Sequence, residues 1–295
     1  MRSLVVTLVS ALVSALVGCS SPTQLDRVPD RVSDRVPDRV PDRVGEPIDV
    51  PIALPRIVAH RGASFDAPEN TLAAFRRAWE LGVECVELDV HLTKDDEVVV
   101  MHDANTLRTT GHDRAIRDQT LAELRQLDAG AWKGSAFRGE RIPTIAEAIA
   151  TIPSGRTLFV ELKSGVETVP AIARAIRAAN PEPRAHIALQ GFGAEGLAAL
   201  GKALPGTTTF WDVEPPMDGD RPLPYPLTVV DQAKRHGFTG LALLYVSVTE
   251  ELLAEARGVG LEIDVWTIND RDALVAARAR DDLRWIETDR PDLAK

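Results

Sequence analysis

Short runs of apolar and β-branched residues alternate with amphipathic segments along the chain from residue 57 onward. The short runs predict buried strands, and segments with apolar residues three or four positions apart predict helices. The strands are predicted at residues 57–59, 85–90, 98–101, 158–162, 186–189, 208–211, 240–243, 263–266 and 284–287. Helices are predicted at residues 71–81, 169–179, 250–257 and 270–280, among others. The first is predicted to be capped by Asn70 and ended by Gly82.

Repeated strand–helix alternation predicts an α/β fold with a parallel sheet, most simply closed as a (β/α)8 TIM barrel. Residues 55–295 provide about 240 residues, the usual length of such a barrel. Nine strand candidates are one too many, and the link at 93–97 is too short for a crossover helix, so a hairpin is predicted in this region. Residues 105–141 interrupt the rhythm and are predicted to be a small insertion after an early strand. The final helix is expected to be short or missing.

The first 18 residues have the features of an export signal rather than of a folded element. Arg2 precedes an apolar run that is too short to be a good membrane-spanning helix. Residues 16–19, Leu-Val-Gly-Cys, are similar to a bacterial lipobox, which predicts a lipid on Cys19. The chain would then be anchored in a bacterial cell envelope, in the outer membrane or facing the periplasm. An ordinary signal peptide cleaved near Gly18 is the alternative.

Residues 26–44 consist of five Asp-Arg-Val copies, spaced four residues apart with proline or serine between them. The prolines remove backbone donors and favour extended geometry, and the repeat has no large apolar side chain to bury. Residues 19–54 are therefore predicted to be a disordered linker that holds a domain at 55–295 away from a membrane.

Charge and cysteine content exclude several classes of protein. The net charge of −10, from 44 acidic and 34 basic residues, is inconsistent with the basic stripe of a nucleic-acid-binding protein. The two cysteines, Cys19 and Cys85, cannot form a disulfide framework or a CxxC metal site. Cys85 lies in a predicted strand and is expected to be a buried, unreactive thiol.

Polar side chains occur where the predicted strands end, which is where a barrel of this type carries its chemistry. Glu87 and Asp89 are two residues apart, so a strand directs both carboxylates to the same side. Buried like charges repel each other, and their burial is unfavourable unless a cation compensates them. These two carboxylates and Glu161 therefore imply a hard divalent cation, Ca²⁺ or Mg²⁺. Zinc is disfavoured because no compact histidine–cysteine set is present. The other strand-end residues are His60, Arg61, His102, Lys163, Gln190 and Trp266.

Nine short motifs follow one another along the predicted domain. They are AHRGAS at 59–64, APENT at 67–71, ELDV at 87–90, LTKD at 92–95, HD at 102–103, LDAG at 127–130, ELK at 161–163, VWTIND at 265–270 and TDRPD at 288–292. In this order, the motifs resemble those of the glycerophosphodiester phosphodiesterase family. The resemblance covers residues 57–292 and implies a metal-dependent barrel hydrolase.

The same resemblance implies a role for each residue of the set. Glu87, Asp89 and Glu161 would hold the divalent cation. His60 and His102 would be the general base and the general acid, in an order that the sequence does not decide. Substrate-binding roles are implied for Arg61 and Lys163 at the phosphoryl oxygens, Trp266 at the glycerol carbons, and Glu69 near the site. Core packing is the alternative for Trp266, and stabilisation of the following helix start is the alternative for Glu69.

Other polar residues are expected to have supporting roles. Gly191 stands where relatives commonly have a serine before the phenylalanine, and residues 210–225 are rich in proline and acid, so this stretch is expected to be a lid or a substrate-selecting loop. Asp103 and Asp289 are expected to orient their neighbours, whereas the histidines expected to be structural or solvated are His91, His112, His186 and His236.

The resemblance implies hydrolysis of glycerophosphodiesters, such as deacylated phospholipids, to glycerol 3-phosphate and an alcohol. The metal and the basic residues would offset the charge that grows on the phosphoryl oxygens. The attacking group could be water, or the glycerol 2-hydroxyl through a cyclic phosphate. A phospholipase acting on intact or lyso-lipids with the same barrel is one alternative, and a non-catalytic surface lipoprotein that binds glycerol phosphates is another.

Overall fold

A computed structural model describes residues 54–294 of the chain. The predicted signal peptide, the predicted lipid site at Cys19 and the Asp-Arg-Val repeat lie outside the described residues. Within them, the strands are β1 Arg56–Ala59, β2 Cys85–Leu92, β3 Val98–Val100, β4 Thr157–Leu162, β5 Ile187–Gly191, β6 Thr208–Val213, β7 Met217–Asp218, β8 Arg221–Pro222, β9 Gly240–Leu244, β10 Glu262–Trp266 and β11 Trp285–Thr288. The helices are α1 Leu72–Glu80, α2 Leu107–Thr110, α3 Leu121–Leu124, α4 Ile145–Ile149, α5 Val169–Ala178, α6 Pro181–Arg184, α7 Ala194–Ala203, α8 Thr228–His236, α9 Glu250–Gly258 and α10 Arg271–Arg278.

Eight parallel strands form a closed barrel, which confirms the predicted (β/α)8 fold. The strands follow the order β1, β2, β4, β5, β6, β9, β10 and β11 around the barrel, and β11 pairs with β1 to close it. The remaining member of this sheet is β3, which pairs antiparallel with the end of β2, Val90 opposite Val100 and Leu92 opposite Val98. The predicted hairpin is therefore formed by β2 and β3, and the run at 98–101 contains the extra strand.

Alternate residues of each barrel strand point inward, as the twofold repeat of a strand requires. In β2, Cys85 packs inside the barrel, whereas Val86 and Leu88 join the larger core beneath the helices. One inward layer is mainly apolar and contains Val58, Cys85, Phe159, Ala188, Phe210, Ala242 and Trp285. Two residues further along, the inward positions that follow six of these strand residues are polar, and they are His60, Glu87, Glu161, Gln190, Asp212 and Glu287. The apolar layer thus supports a polar layer at the carboxyl end of the barrel.

The start of α1 differs from its prediction. Thr71, not Asn70, is the N-cap, and its hydroxyl accepts a hydrogen bond from the Ala74 amide at 3.3 Å. Asn70 has a φ of +56°, and its side chain points to β2 instead. The predicted end of the helix is confirmed, since Gly82 follows the C-cap with a φ of +80°, a conformation that glycine adopts without strain.

The predicted insertion lies between β3 and α4 and shares a small separate core with β3 and the residues that flank the insertion. The buried apolar residues of this core are Val99, Met101, Ile116, Leu124, Ala129 and Ile142. In the stretch 210–225, the first residues complete β6 and the later ones form the β7–β8 ribbon. At the other end of the described part, residues Pro291–Ala294 form a short 3-10 helix, as expected for the final helix. None of the described helices has the length and apolar character needed to cross a membrane.

Candidate active site

Three acidic residues from two neighbouring strands converge at the carboxyl end of the barrel. Glu87 and Asp89 lie on β2, and Glu161 lies opposite Asp89 on β4. One carboxylate oxygen of each lies within 4.8 Å of one oxygen of each of the others, and all three side chains are buried. The shared strand register therefore brings together the three residues that were predicted as metal ligands.

Each of the two carboxylates on β2 has one oxygen held by the protein and one without a hydrogen-bond donor among the described residues. The Arg61 amide donates to Glu87 Oε2 at 2.8 Å, and Asn70 Nδ2 donates to Asp89 Oδ2 at 2.7 Å. Glu87 Oε1 and Asp89 Oδ1 accept no hydrogen bond. Burial raises the pKa of Glu87, and the charges of Asp89, Glu287 and Glu161 raise it further. Buried, oriented and undonated oxygens of this kind fit a hard divalent cation such as Ca²⁺ or Mg²⁺.

Two basic side chains lie beside the three carboxylates. Lys163 Nζ is 2.9 Å from Glu161 Oε1 and 3.5 Å from Asp89 Oδ1, and Arg61 Nε is 3.4 Å from Asp89 Oδ2. Burial alone would raise the pKa of Asp89, but Arg61 and Lys163 hold it below its usual value. Burial and the charge of Asp89 instead raise the pKa of Glu161 to about 8. The site therefore contains both signs of charge in one partly enclosed space.

Two histidines flank this space, and each is hydrogen-bonded through Nδ1 to an aspartate. His60 Nδ1 lies 2.7 Å from Asp289 Oδ1, and His102 Nδ1 lies 2.8 Å from Asp103 Oδ1. Both histidines line the same cavity, and the Nδ1 contacts leave Nε2 of each ring for other partners. Burial lowers the pKa of His102. The two aspartates thus lie where residues that orient histidines are expected.

Arg108, from the insertion, connects the second histidine to the predicted substrate residue Glu69. Its guanidinium donates to Asp103 Oδ2 at 2.6 Å and contacts both carboxylate oxygens of Glu69 at 2.8 Å. Glu69 Oε1 also accepts a hydrogen bond from Arg61 at 3.1 Å. Burial would raise the pKa of Glu69, but Arg108 and Arg61 lower it overall. Glu69 therefore lies between two arginines. Neither the predicted substrate-binding role nor the predicted role at the helix start anticipated this arrangement.

The two histidines, the basic residues and one of the three acids line a cavity of about 460 Å³. Its far wall contains Trp266, whose ring meets that of Phe192 edge to face at 6.0 Å between centroids. The cavity is lined by His60, Arg61, His102, Glu161, Lys163, Gln190, Phe192, Asp212, Glu214, Trp266, Thr267 and Glu287. Glu87 and Asp89 are fully buried, and Glu69 contacts the lining residue Arg61. A concave site of this size suits a small ligand with several polar groups.

Comparison with known proteins identifies the family of the chain that forms this cavity. Residues 60–293 match the sequence model of the Glycerophosphoryl diester phosphodiesterase family. The chain belongs to this family. A glycerophosphodiester phosphodiesterase of Caldanaerobacter subterraneus subsp. tengcongensis is 46% identical over 136 residues, 44% of this chain and 56% of that protein. One from Bacillus subtilis is 36% identical over 115 residues, 36% of this chain and 39% of that protein. The chain thus spans about half the length, or less, of these curated relatives.

Solved structures of similar proteins cover more of the barrel. A phosphodiesterase of Oleispira antarctica in complex with the product sn-glycerol-3-phosphate has a TM-score of 0.74 and 30% identity, over 82% of this chain and 95% of that chain. A glycerophosphodiester phosphodiesterase of Thermotoga maritima has a TM-score of 0.63 and 26% identity, over 81% of this chain and 96% of that chain. In both cases the alignment covers nearly the whole of the solved chain, and the shared fold agrees with the barrel described above.

Several residues of this glycerophosphoryl diester phosphodiesterase family site were not predicted from sequence. Asn70 contacts Asp89, and Arg108 contacts Asp103, across 19 and five positions of the chain. Asp212 and Glu287 line the cavity. The signal for each is weak, since each lies two residues after an aromatic residue whose inward direction is set only by the closed barrel. The helix-cap signal at Asn70 pointed instead to a local role. Nothing local in the insertion indicates where Arg108 docks.

Proposed function

We propose that this protein hydrolyses glycerophosphodiesters to glycerol 3-phosphate and an alcohol, by cleaving the bond between phosphorus and the alcohol oxygen. The observation that carries this proposal is one cavity lined by two histidines, each bonded to an aspartate, beside a buried acidic triad and two basic side chains. Family membership supports the choice of substrate class.

Glu87, Asp89 and Glu161 would hold a divalent cation, Ca²⁺ or Mg²⁺. When bound, such an ion supplies Lewis-acid stabilisation of charge on a phosphoryl oxygen. The arrangement of Arg61 and Asn70 prepares the two β2 carboxylates for this role, because each donor fixes one oxygen and leaves the other undonated. Neutral side chains at these positions would not compensate a dication.

Arg61 and Lys163 would bind the non-bridging phosphoryl oxygens. Burial would lower the pKa of Lys163, but Asp89 and Glu161 raise it overall, so the ammonium group stays charged at neutral pH. Both cations are half-buried beside the histidines, where the contribution of a positive charge to a phosphoryl group exceeds its contribution in open water.

His102 would act as the general base and His60 as the general acid. Burial lowers the pKa of His102, so its imidazole is neutral at neutral pH. It can therefore accept a proton from the attacking group, either water or the glycerol 2-hydroxyl. The charge of its partner Asp103 is compensated by Arg108. Within residues 54–294, the side-chain donors to Asp289 other than His60 are the uncharged Ser64 and Asn269. Asp289 is therefore the partner better suited to an imidazolium, and His60 would be the residue that donates a proton to the leaving oxygen.

The test is hydrolysis of glycerophosphocholine by the purified protein, measured as choline release after chelation and after addition of Mg²⁺ or Ca²⁺. Release should require the added ion and should fall by roughly 10²- to 10⁴-fold in His60→Ala and in His102→Ala. His236→Ala is the matched control, because His236 is an exposed histidine on α8. Absence of metal-dependent release, or histidine variants that equal the unmodified protein, would contradict the proposal.

We also propose that the chain is exported and anchored in a bacterial envelope by a lipid on Cys19, with residues 19–54 as a spacer. The support is the pattern Leu-Val-Gly-Cys at 16–19 after an apolar run. In a bacterial host, the unmodified protein should incorporate labelled fatty acid and sediment with membranes, and Cys19→Ser should lose both properties. Recovery of the unmodified protein in a soluble fraction, unlabelled, would contradict this proposal.

A further inference from the structure

The floor of the cavity contains polar groups that the proposed reaction does not use. We call the side chains of Gln190, Asp212 and Glu287 the polar floor. All three line the cavity, and each side chain is about 2% exposed. Gln190 and Asp212 lie on the adjacent strands β5 and β6, and Glu287 lies on β11, across the barrel from them. None of them belongs to the acidic triad on β2 and β4.

Hydrogen bonds within the polar floor fix the direction of the Gln190 amide. Its Nε2 donates to Asp212 Oδ1 at 2.8 Å and to Glu287 Oε1 at 3.0 Å. Because both bonds use the amide nitrogen, Oε1 of the same side chain is left as an acceptor. Among the described residues, Gln190 Oε1 and Asp212 Oδ2 have no hydrogen-bond partner.

An unpartnered donor lies on the same cavity. Trp266 Nε1 is buried, and it too has no partner among the described residues. Leaving a buried polar group unpaired is costly, so such groups normally meet a ligand or water. Two acceptors and one donor match hydroxyl groups, since each hydroxyl both donates and accepts.

We propose that the polar floor and Trp266 Nε1 bind the free hydroxyl groups of the substrate's glycerol and so determine specificity for deacylated diesters. This inference rests on the proposed function. Gln190 Oε1 and Asp212 Oδ2 accept from the hydroxyls, and Trp266 Nε1 donates to a hydroxyl oxygen. An acylated glycerol has lost a hydroxyl donor and would place an ester and an alkyl chain against buried polar groups.

The experiment compares two substrates that share the phosphate and the choline leaving group. The first is glycerophosphocholine, and the second is propyl phosphocholine, which lacks both hydroxyls. Because one of these hydroxyls could also be the attacking group, the polar floor is judged by how its variants change the preference and by product binding. The unmodified protein should favour glycerophosphocholine in kcat/KM by about 100-fold or more, since each unmade hydrogen bond to a buried partner contributes roughly tenfold. Lysophosphatidylcholine, with one hydroxyl acylated, should be hydrolysed at least about tenfold less efficiently than glycerophosphocholine.

Variants of the polar floor should reduce this preference. Asp212→Asn keeps an oxygen that can accept from Gln190 and replaces the unpartnered acceptor by an N–H group, so the preference should fall by about tenfold. Gln190→Met removes the other acceptor and gives an independent measurement. The control is Glu262→Gln: Glu262 is an acid at the start of β10 that does not line the cavity, and this variant should keep the preference within about twofold.

Product binding gives a second measurement that does not depend on turnover. Calorimetry with glycerol 3-phosphate and with propyl phosphate should show the same preference and the same loss in the two floor variants. A preference near one, a preference unchanged in Asp212→Asn and Gln190→Met, or equal hydrolysis of lysophosphatidylcholine would overturn the inference while the proposed function stands. If the unmodified protein hydrolyses none of these diesters, the proposed function fails and the inference with it.

Discussion

The two histidine–aspartate pairs have almost the same local geometry but different surroundings. His60 Nδ1 and Asp289 Oδ1 are 2.7 Å apart, and His102 Nδ1 and Asp103 Oδ1 are 2.8 Å apart. Asp289 is held by the neutral donors Ser64 and Asn269. The other aspartate is held by the guanidinium of Arg108, a residue of the insertion. The same pair of side chains is thus placed in two electrostatic environments.

This difference is the basis for the opposite roles proposed for the two histidines. The barrel strands and the loops that follow them hold His60 and Asp289, whereas the insertion supplies the charge beside Asp103. A carboxylate already paired with a guanidinium attracts an imidazolium proton less strongly than one paired with neutral donors. Through Glu69, Arg108 also reaches Arg61, so the insertion is coupled to the proposed phosphate-binding residues as well.

The largest expected effect distinguishes His60, the proposed general acid, from His102, the proposed general base, through a change of leaving group. Glycerol 4-nitrophenyl phosphate releases a phenolate that needs no proton, so a missing general acid matters less. His60→Ala should lose roughly 10²- to 10⁴-fold in kcat/KM on glycerophosphocholine but less than about tenfold on the nitrophenyl ester. His102→Ala should lose roughly 10²- to 10⁴-fold on both substrates. The reverse pattern would exchange the two assignments.

Removing the charge of each aspartate should produce unequal losses. Asparagine cannot stabilise an imidazolium and can hold the ring in the wrong tautomer. Asp289→Asn should lower kcat/KM on glycerophosphocholine by roughly 100-fold, because that carboxylate has no other charged partner besides His60 among the described residues. Asp103→Asn should cost roughly tenfold, since Arg108 already compensates its charge. Equal losses in steady-state kinetics would refute the proposed asymmetry.

The parts of this site that could be predicted from sequence are those governed by strand geometry. The spacing of Glu87 and Asp89 places both carboxylates on one side, and parallel register brings Glu161 opposite Asp89. The same alternation operates at Asp212 and Glu287, but a lone acid in a strand gives no signal of direction until the barrel closes. Asn70 was mistaken for a helix cap because an asparagine before a helix has the same local pattern.

The position of the insertion could not be predicted in the same way. Its boundaries follow from the broken rhythm of strands and helices, but the contacts of Arg108 depend on how the segment folds back over the barrel. Glu69 is 39 positions away in the chain, and no short-range pattern relates the two residues. Long-range ion pairs of this kind are determined by tertiary packing, which is why the structure was needed to find them.

A smaller effect is expected when Arg108 is replaced by methionine. Without the guanidinium, Asp103 stabilises a protonated His102 more strongly, so the pKa of that base should rise. A base must be deprotonated to act, and kcat/KM is lost as the pH falls through its pKa. The acid limb of the pH profile should therefore move to higher pH, by up to roughly one pH unit. Arg114→Met is the matched control, because Arg114 is another insertion arginine and pairs with Glu123 instead. An unshifted acid limb in Arg108→Met would refute the coupling.

The smallest expected effect is on stability and concerns Asp289. Burial would raise the pKa of Asp289, but the contacts with His60, Asn269 and Ser64 lower it from 3.8 to about 2. A carboxylate with a lowered pKa stabilises the folded state above its unfolded pKa, and this contribution is lost as the pH falls towards about 2. Asp289→Asn should therefore reduce the free energy of unfolding by about 1 kcal/mol at neutral pH, a figure discounted for partial exposure, and the deficit should vanish between about pH 4 and pH 2. Chemical denaturation at each pH measures the difference in free energy of unfolding between the unmodified protein and Asp289→Asn. Asp113→Asn is the control, because Asp113 is an exposed aspartate. A deficit that persisted at pH 2 would mean that Asp289 stabilises the fold through packing rather than through its charge.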